Sequence, residues 1–130
     1  MGRENLRGLT LDTGALIALE RNVRRILPLL QDAKDRGRRI VIPAGVLAQA
    51  WRGSARQARL AKLLNDPGVE IHPLDAQLAF AAGLLCAATS TRDVIDASVV
   101  IAARENGRLV ATSDPGDLLR LDPTLQLIEL

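Results

Sequence analysis

Leu9-Thr10-Leu11-Asp12-Thr13-Gly14-Ala15-Leu16-Ile17-Ala18-Leu19-Glu20 is the stretch that decides the fold. A short apolar run ends on a carboxylate, a hydroxyl and a glycine, and an apolar helical pattern follows at once. This predicts strand, turn and helix, with Asp12 at the strand's carboxyl end and Thr13 as the helix N-cap. The same grammar then repeats. Helical spacing resumes at Ile26, Leu27, Leu29, Leu30 and Ala33 and closes at Arg36-Gly37. Arg39-Ile40-Val41-Ile42 reads as a buried strand stopped by Pro43, and Val46, Leu47, Ala50 and Trp51 recur on one face of the helix after it.

Residues 55–64 read as a further helix flanked by Arg52, Arg56, Arg59 and Lys62, and Asp66-Pro67-Gly68 as a turn into the short strand Val69-Glu70-Ile71-His72. Asp75 can cap a long Ala- and Leu-rich helix. Residues 93–106 form the next one, with Val94, Ala97, Ser98, Ile101 and Ala102 at inward offsets and Gly107 as its stop. A strand over residues 108–112 ends at Ser113-Asp114-Pro115, a short helix follows, and residues 125–129 form a last strand at the sheet edge. Strands alternating with helices imply right-handed crossovers and a mainly parallel sheet covered on both faces, in one domain spanning residues 1–130.

Composition suits that architecture. The chain has 130 residues, 48% of them hydrophobic, yet only Trp51 and Phe80 are aromatic, so the core must come from Leu, Val, Ile and Ala. A single cysteine, Cys86, has no partner for a disulfide and sits in an apolar helical stretch, which fits a reduced, buried thiol and a cytoplasmic setting. The N-terminal ten residues lack an apolar leader run and no stretch is long enough to span a bilayer, so no membrane association is expected. Net charge is only +2, but of the 17 basic residues only Lys34 and Lys62 are lysines. The arginine bias favours a phosphate-bearing partner, because the guanidinium fork matches phosphate oxygens, although codon preference accounts for it equally well.

In a parallel sheet of this kind ligands bind beyond the carboxyl ends of the strands. Asp12 and Asp114 fall at that edge, and Asp117 lies one helical turn past Asp114. Asp93 and Asp96 share a face at the start of their helix. Each aspartate taken singly fits a cap or a solvated surface, and Asp93 is the plainest cap. Asp96, within Val94-Ile95-Asp96-Ala97, is the hardest to read that way, because a buried carboxylate needs a cation or a fixed hydrogen-bond partner. Crowded carboxylates repel until a hard cation accepts their oxygens. With one histidine, His72, read as a strand residue, and one cysteine, the donors suit Mg²⁺ or Mn²⁺ rather than zinc. A catalytic Ser-His-Asp set, a phosphate-binding glycine loop and a dinucleotide fingerprint are all lacking.

The motifs Leu11-Asp12-Thr13-Gly14-Ala15-Leu16-Ile17, Ile42-Pro43-Ala44-Gly45-Val46-Leu47, Asp96-Ala97-Ser98-Val99-Val100-Ile101-Ala102-Ala103 and Val110-Ala111-Thr112-Ser113-Asp114-Pro115-Gly116-Asp117 together span nearly the whole chain. In their order and spacing the sequence resembles the PIN-domain family, and within it the VapC-type toxin ribonucleases of bacterial toxin–antitoxin pairs. The resemblance implies an α/β/α sandwich, a homodimer, Mg²⁺-dependent endoribonuclease activity and inhibition by a small DNA-binding antitoxin. It places Asp12, Asp96 and Asp114 as metal ligands, with Thr112, Ser113 and Asp117 around them. One departure stands out: where the family has a glutamate on the helix after the second strand, this chain has Gln49, which should weaken metal affinity. Glu20, at the end of its helix, reads as solvated and is no assumed replacement.

The resulting expectation is a metal held by Asp12, Asp96 and Asp114, with Asp117 tuning the cluster or orienting water. Thr13, Thr112, Ser113, Arg52 and Arg56 would contact an RNA substrate, and Arg59 is a further phosphate contact. Two rivals remain at this point: a PIN-like domain that binds without cutting, and a phosphoacceptor receiver module, which lacks its usual late-strand lysine here.

Overall fold

The computed structural model describes residues 7–130; residues 1–6, which carry part of the expectation about a leader run, lie outside the described residues. Strands β1 (Leu9–Leu11), β2 (Ile40–Pro43), β3 (Val69–His72), β4 (Leu109–Thr112) and β5 (Gln126–Glu129) form one sheet in the order β3-β2-β1-β4-β5, and every neighbouring pair is parallel. The expected α/β/α sandwich is observed, with β5 at an edge. Helix α1 (Thr13–Glu20) packs against α2 (Ile26–Asp35), α3 (Ala44–Ala50) and α4 (Ala58–Leu64), while α6 (Val94–Glu105) packs against α5 (Ala76–Thr89) and α7 (Pro115–Leu121).

Strand order fixes where a site can form. From β1 the chain steps to β2 and β3 on one side, then returns to lay β4 and β5 on the other. Between β1 and β4 the crossovers leave in opposite senses, and the carboxyl ends of both strands face one crevice. The sheet beneath is dry. Leu9, Leu11, Ile40, Ile42, Val110 and Ala111 are at most 1% exposed, because helices cover both faces and each strand can be apolar throughout.

Four local expectations need correction. Thr13 does not cap α1; Asp12 does, accepting from the Ala15 amide at 2.8 Å, so one residue both ends the strand and starts the helix. Trp51 is 40% exposed, since α3 stops at Ala50 and Trp51 turns to extended backbone, off the helical face. Val94 is 52% exposed because it opens α6 before the helix reaches the sheet; Val99, Val100 and Ala103 are buried instead. Residues 55–64 split into a 3-10 turn over Ala55–Gln57 followed by α4. The split follows the Gln57 side chain, which is buried and tied to the loop before it. Among the described residues no single helix is long and apolar enough to cross a membrane.

Asp122, at the end of α7, holds together the other end of the domain. It is 3% exposed and accepts from Arg104 Nε at 2.8 Å and Arg108 at 3.2 Å, while its second oxygen takes the Thr124 amide and hydroxyl. Burial works to raise its pKa, but the hydrogen bonds from Thr124 and Arg104 outweigh it and hold the carboxyl at about 2, below the ordinary 3.8. A depressed carboxylate stabilises the fold fully above the unfolded value and loses that contribution as pH falls through the folded one. Asp122→Ala should therefore cost about 2 kcal/mol at neutral pH, allowing for solvent screening of its exposed arginine partners. The deficit should shrink as the medium approaches about pH 2. Urea melts of both proteins across that range measure it, and a pH-independent difference would contradict the assignment.

Candidate functional site

The β1 and β4 ends are stitched to each other. Asp12, 5% exposed, turns one oxygen to the Ala15 amide and the other to the Thr112 hydroxyl, which donates to it. Thr112 Oγ1 in turn accepts the Asp114 amide at 2.9 Å. Burial raises the Asp12 pKa against these hydrogen bonds, and the Asp114 charge adds to the rise. Gly14 has no room for a side chain, since a Cβ there would collide with the Ser113 hydroxyl. The α1 start and the β4–α7 loop thus touch directly, with Thr13 and Ser113 on either side of Asp12.

Asp96 enters from α6. Its amide is capped by Asp93 at 2.9 Å, as expected of a plain cap, but Asp93 also acts on its carboxyl. Half-burial first, then the charge and hydrogen bond of Asp93 and the charges of Asp12 and Asp117, push Asp96 up to about 7. Asp117 is raised as well, chiefly by its side-chain contact with Asp114 and then by that neighbour's charge. A hollow of about 290 Å³ opens over this group, lined by Thr91, Arg92, Asp93, Asp96, Asp117 and Arg120 among others. Asp12, Asp96, Asp114 and Asp117 are therefore gathered into one electrostatic neighbourhood.

Gathering is not closure. Among the described residues no group of three His, Cys, Asp or Glu side chains is set so that it could grip an ion as placed, and both Asp12 oxygens are engaged by protein donors. In its chemistry the donor set nevertheless fits a hard divalent cation: every donor is oxygen, and the raised pKa values mark a place where negative charge is under-compensated.

On the other side of Thr13 the character changes. Its hydroxyl donates to Gln49 Oε1 at 2.6 Å, and Gln49 lines a second hollow of about 390 Å³ with Glu20, Arg21, Arg52, Arg56 and Gln57. Arg52 and Arg56 thus stand near Gln49 as a set, whereas Arg59 is drawn to the Glu20 carbonyl at 3.4 Å. Glu20 is not simply solvated: it is half-buried and its carboxylate accepts from Gln57 Nε2 at 2.7 Å. Arg21 and Gln57 were missed by sequence reasoning. Nothing in the local pattern sets Arg21 apart from the other arginines, and nothing around Gln57 marks a residue only 2% exposed. His72 lies apart from the aspartates, paired with Glu105 at 2.7 Å, in keeping with a strand role.

The chain is thus a parallel α/β/α domain with aspartates near its topological switch point. The PIN domain profile matches residues 9–122, and the chain belongs to that family. No curated protein matches it significantly in sequence. Solved structures do match in fold. VapBC2 from Rickettsia felis, bound to a DNA fragment from their promoter, superposes with a TM-score of 0.68 at 18% identity, covering 94% of this chain and 98% of that one. DNA-bound VapBC from Salmonella typhimurium gives 0.68 at 17% identity, covering 95% and 98%. FitAcB from Neisseria gonorrhoeae gives 0.64 at 18%, covering 93% and 96%. Membership of this family displaces the receiver alternative.

Raised carboxyl pKa values have a thermodynamic signature. Between the ordinary 3.8 and about 7 the unfolded chain releases the Asp96 proton while the native protein keeps it. The native state then binds more protons, so stability falls as pH rises through that window, and Asp12 acts in the same direction. After discounting for partial exposure, the Asp96 part is about 1–2 kcal/mol. Thermal melts in chelator from about pH 4 to 8 should show this decline, and Asp96→Asn should flatten it. An unchanged slope in the variant would show that Asp96 does not carry it.

Proposed function

We propose that this protein is a divalent-metal-dependent endoribonuclease and the toxin of a bacterial toxin–antitoxin pair, with residues 1–130 acting as one nuclease domain. The observation that carries the reading is the convergence of Asp12, Asp96, Asp114 and Asp117 at the β1/β4 switch point, with three of the four held above their ordinary pKa. Membership of the PIN domain family supports nuclease chemistry, and likeness to the VapBC and FitAcB structures supports a partner antitoxin.

Asp12, Asp96 and Asp114 are the residues that would hold Mg²⁺ or Mn²⁺, after Asp12 releases part of its present hydrogen bonding. A bound divalent ion supplies Lewis acidity, which lowers the pKa of water and offsets charge that builds on the scissile phosphate. The chain's own groups do the rest. Thr112 keeps Asp12 oriented, Asp117 orients the attacking water and takes up its proton, and Thr13 and Ser113 flank the phosphate. Hydrolysis by water leaves 5′-phosphate and 3′-hydroxyl ends. Few aromatic side chains are on offer for stacking, so recognition follows the backbone shape of a structured RNA.

The protein acts in the cytoplasm, consistent with the reduced, buried Cys86. It does so as a homodimer. Helix α5 carries no charged residue and leaves Phe80 75% and Leu84 72% exposed, one turn apart on the same face, a surface that matches itself across a two-fold axis. Phe80→Glu should convert the dimer to monomer in sedimentation experiments; wild type that sediments as a monomer at tens of micromolar would remove the dimer.

A second reading, a PIN domain that binds RNA or protein without cutting, draws on the neutral Gln49. Total RNA incubated with the protein and Mg²⁺ or Mn²⁺ decides between them. Cleavage should occur, stop with chelator and fall by about 10²-fold or more in Asp12→Ala, the scale of losing one element of transition-state electrostatics. Intact RNA under both metals, or products ending in 2′,3′-cyclic phosphate, would refute the proposed chemistry.

A further inference from the structure

We propose that the hollow beside Thr13 is a phosphate-binding subsite for the RNA strand next to the cleavage point, in which the Gln49 amide donates to a phosphate oxygen and is not a metal ligand. This rests on the ribonuclease reading above. Thr13 Oγ1 donates to Gln49 Oε1 at 2.6 Å, which engages one of the two lone pairs on the side chain's single acceptor oxygen, and that oxygen carries no charge to attract a cation. Two amide N–H donors remain on the same side chain, which lines a hollow of about 390 Å³. Arg21, Arg52 and Arg56 line it too, against the single carboxylate of Glu20, leaving an excess of positive charge where the aspartate cluster ends. Arg52 spends its guanidinium on the Ala48 and Trp51 carbonyls, at 3.2 and 2.7 Å, and contributes mainly field. Arg21 and Arg56 are exposed, and their donor forks suit phosphate oxygens.

The wall of this hollow is built rather than loose. Gln57, 2% exposed, accepts from the Arg52 and Gly53 amides at 2.8 and 3.1 Å and donates to the Ala50 carbonyl and Glu20 carboxylate, both at 2.7 Å. All four of its amide positions are filled, so it is a positioning residue that fixes the loop carrying Arg52 and Arg56 before any ligand arrives. It also holds Glu20 in place. A carboxylate at position 49 would set a second negative charge against an incoming phosphate; the glutamine sets donors there.

The test is fluorescence anisotropy of a labelled RNA hairpin in chelator, where binding is read without cutting. Gln49→Glu should weaken binding by about 10-fold or more and Gln49→Ala by about 3-fold, while Arg56→Ala should lower the slope of log affinity against log salt by about one. Calorimetric titration of Mn²⁺ into Gln49→Ala, without RNA, should match wild type within about 2-fold, since no ligand has been removed. Circular dichroism melts verify that each variant is folded. RNA binding unmoved in Gln49→Glu, or a 10-fold loss of Mn²⁺ affinity in Gln49→Ala, overturns the subsite. Poly-glutamate binding as tightly as the hairpin would assign the hollow to an acidic peptide instead and overturn it equally. If wild type cuts RNA and the binding series is flat, the subsite alone fails. If wild type binds with the expected series but cuts under neither metal, the nuclease reading alone fails.

Discussion

Mutual repulsion among carboxylates forced together at the edge of a dry parallel sheet is the constraint on which this site depends. The sheet order brings the carboxyl ends of β1 and β4 side by side; Asp12 follows β1 at once, and Asp114 follows β4 after Ser113. Apolar strands buried from both faces cannot disperse that charge, and α6 adds Asp96 to the same crevice. The fold compensates in part with hydrogen bonds from Thr112 and the Ala15 amide, and in part by raising the carboxyl pKa values of Asp12 and Asp96. Both are incomplete substitutes for a positive ion, because neither removes the like-charge coupling among Asp12, Asp96, Asp114 and Asp117.

Such crowding needs close backbone approach, and two glycines permit it. Gly14 gives up its side-chain volume to Ser113, drawing the β4–α7 loop onto the start of α1. Gly45 does the same for α3 and α6, where an added Cβ would lie 2.5 Å from Ile95 Cδ1. The second contact links the helix that bears Gln49 to the helix that bears Asp96. Stability for this charge-crowded end is supplied elsewhere: the Asp122 network with Arg104 and Arg108 pairs its charges, and the Leu, Val and Ile core runs under both.

The strand-turn-helix grammar of residues 9–20 made the fold and Asp12 legible, because burial on both faces and capping chemistry are written locally. Asp114 was legible for the same reason, and Asp96 because a carboxylate in an apolar helix stretch is anomalous wherever it falls. What stayed hidden depends on contacts between distant segments. Thr13 looked like the cap because hydroxyls cap well; its hydroxyl instead meets Gln49, thirty-six residues on. Gln57 reads as one more polar residue on a helix flank, yet tertiary packing buries it and fills its amide. Glu20 reads as a solvated helix end, and only the α1–α4 packing turns that end into the wall of a hollow. Val94 and Trp51 failed because periodicity locates a face but not the residue at which a helix begins or stops contributing to it.

Thr13 marks the border between two halves of opposite character. On the Asp12 side, crowded carboxylates call for a cation; on the Gln49 side, arginines and an amide call for an anion. A phosphodiester chain with a divalent ion would satisfy both at once: the aspartates would hold the ion, which would supply Lewis acidity, and the amide and arginine donors would take neighbouring phosphates. With a neutral Gln49 in place of an acid, the proposed subsite would shift binding strength away from the ion and toward the strand. Under the proposed nuclease reading, hold on the substrate would come from the preorganised arginine loop, leaving the aspartates to act mainly on the phosphate to be cut.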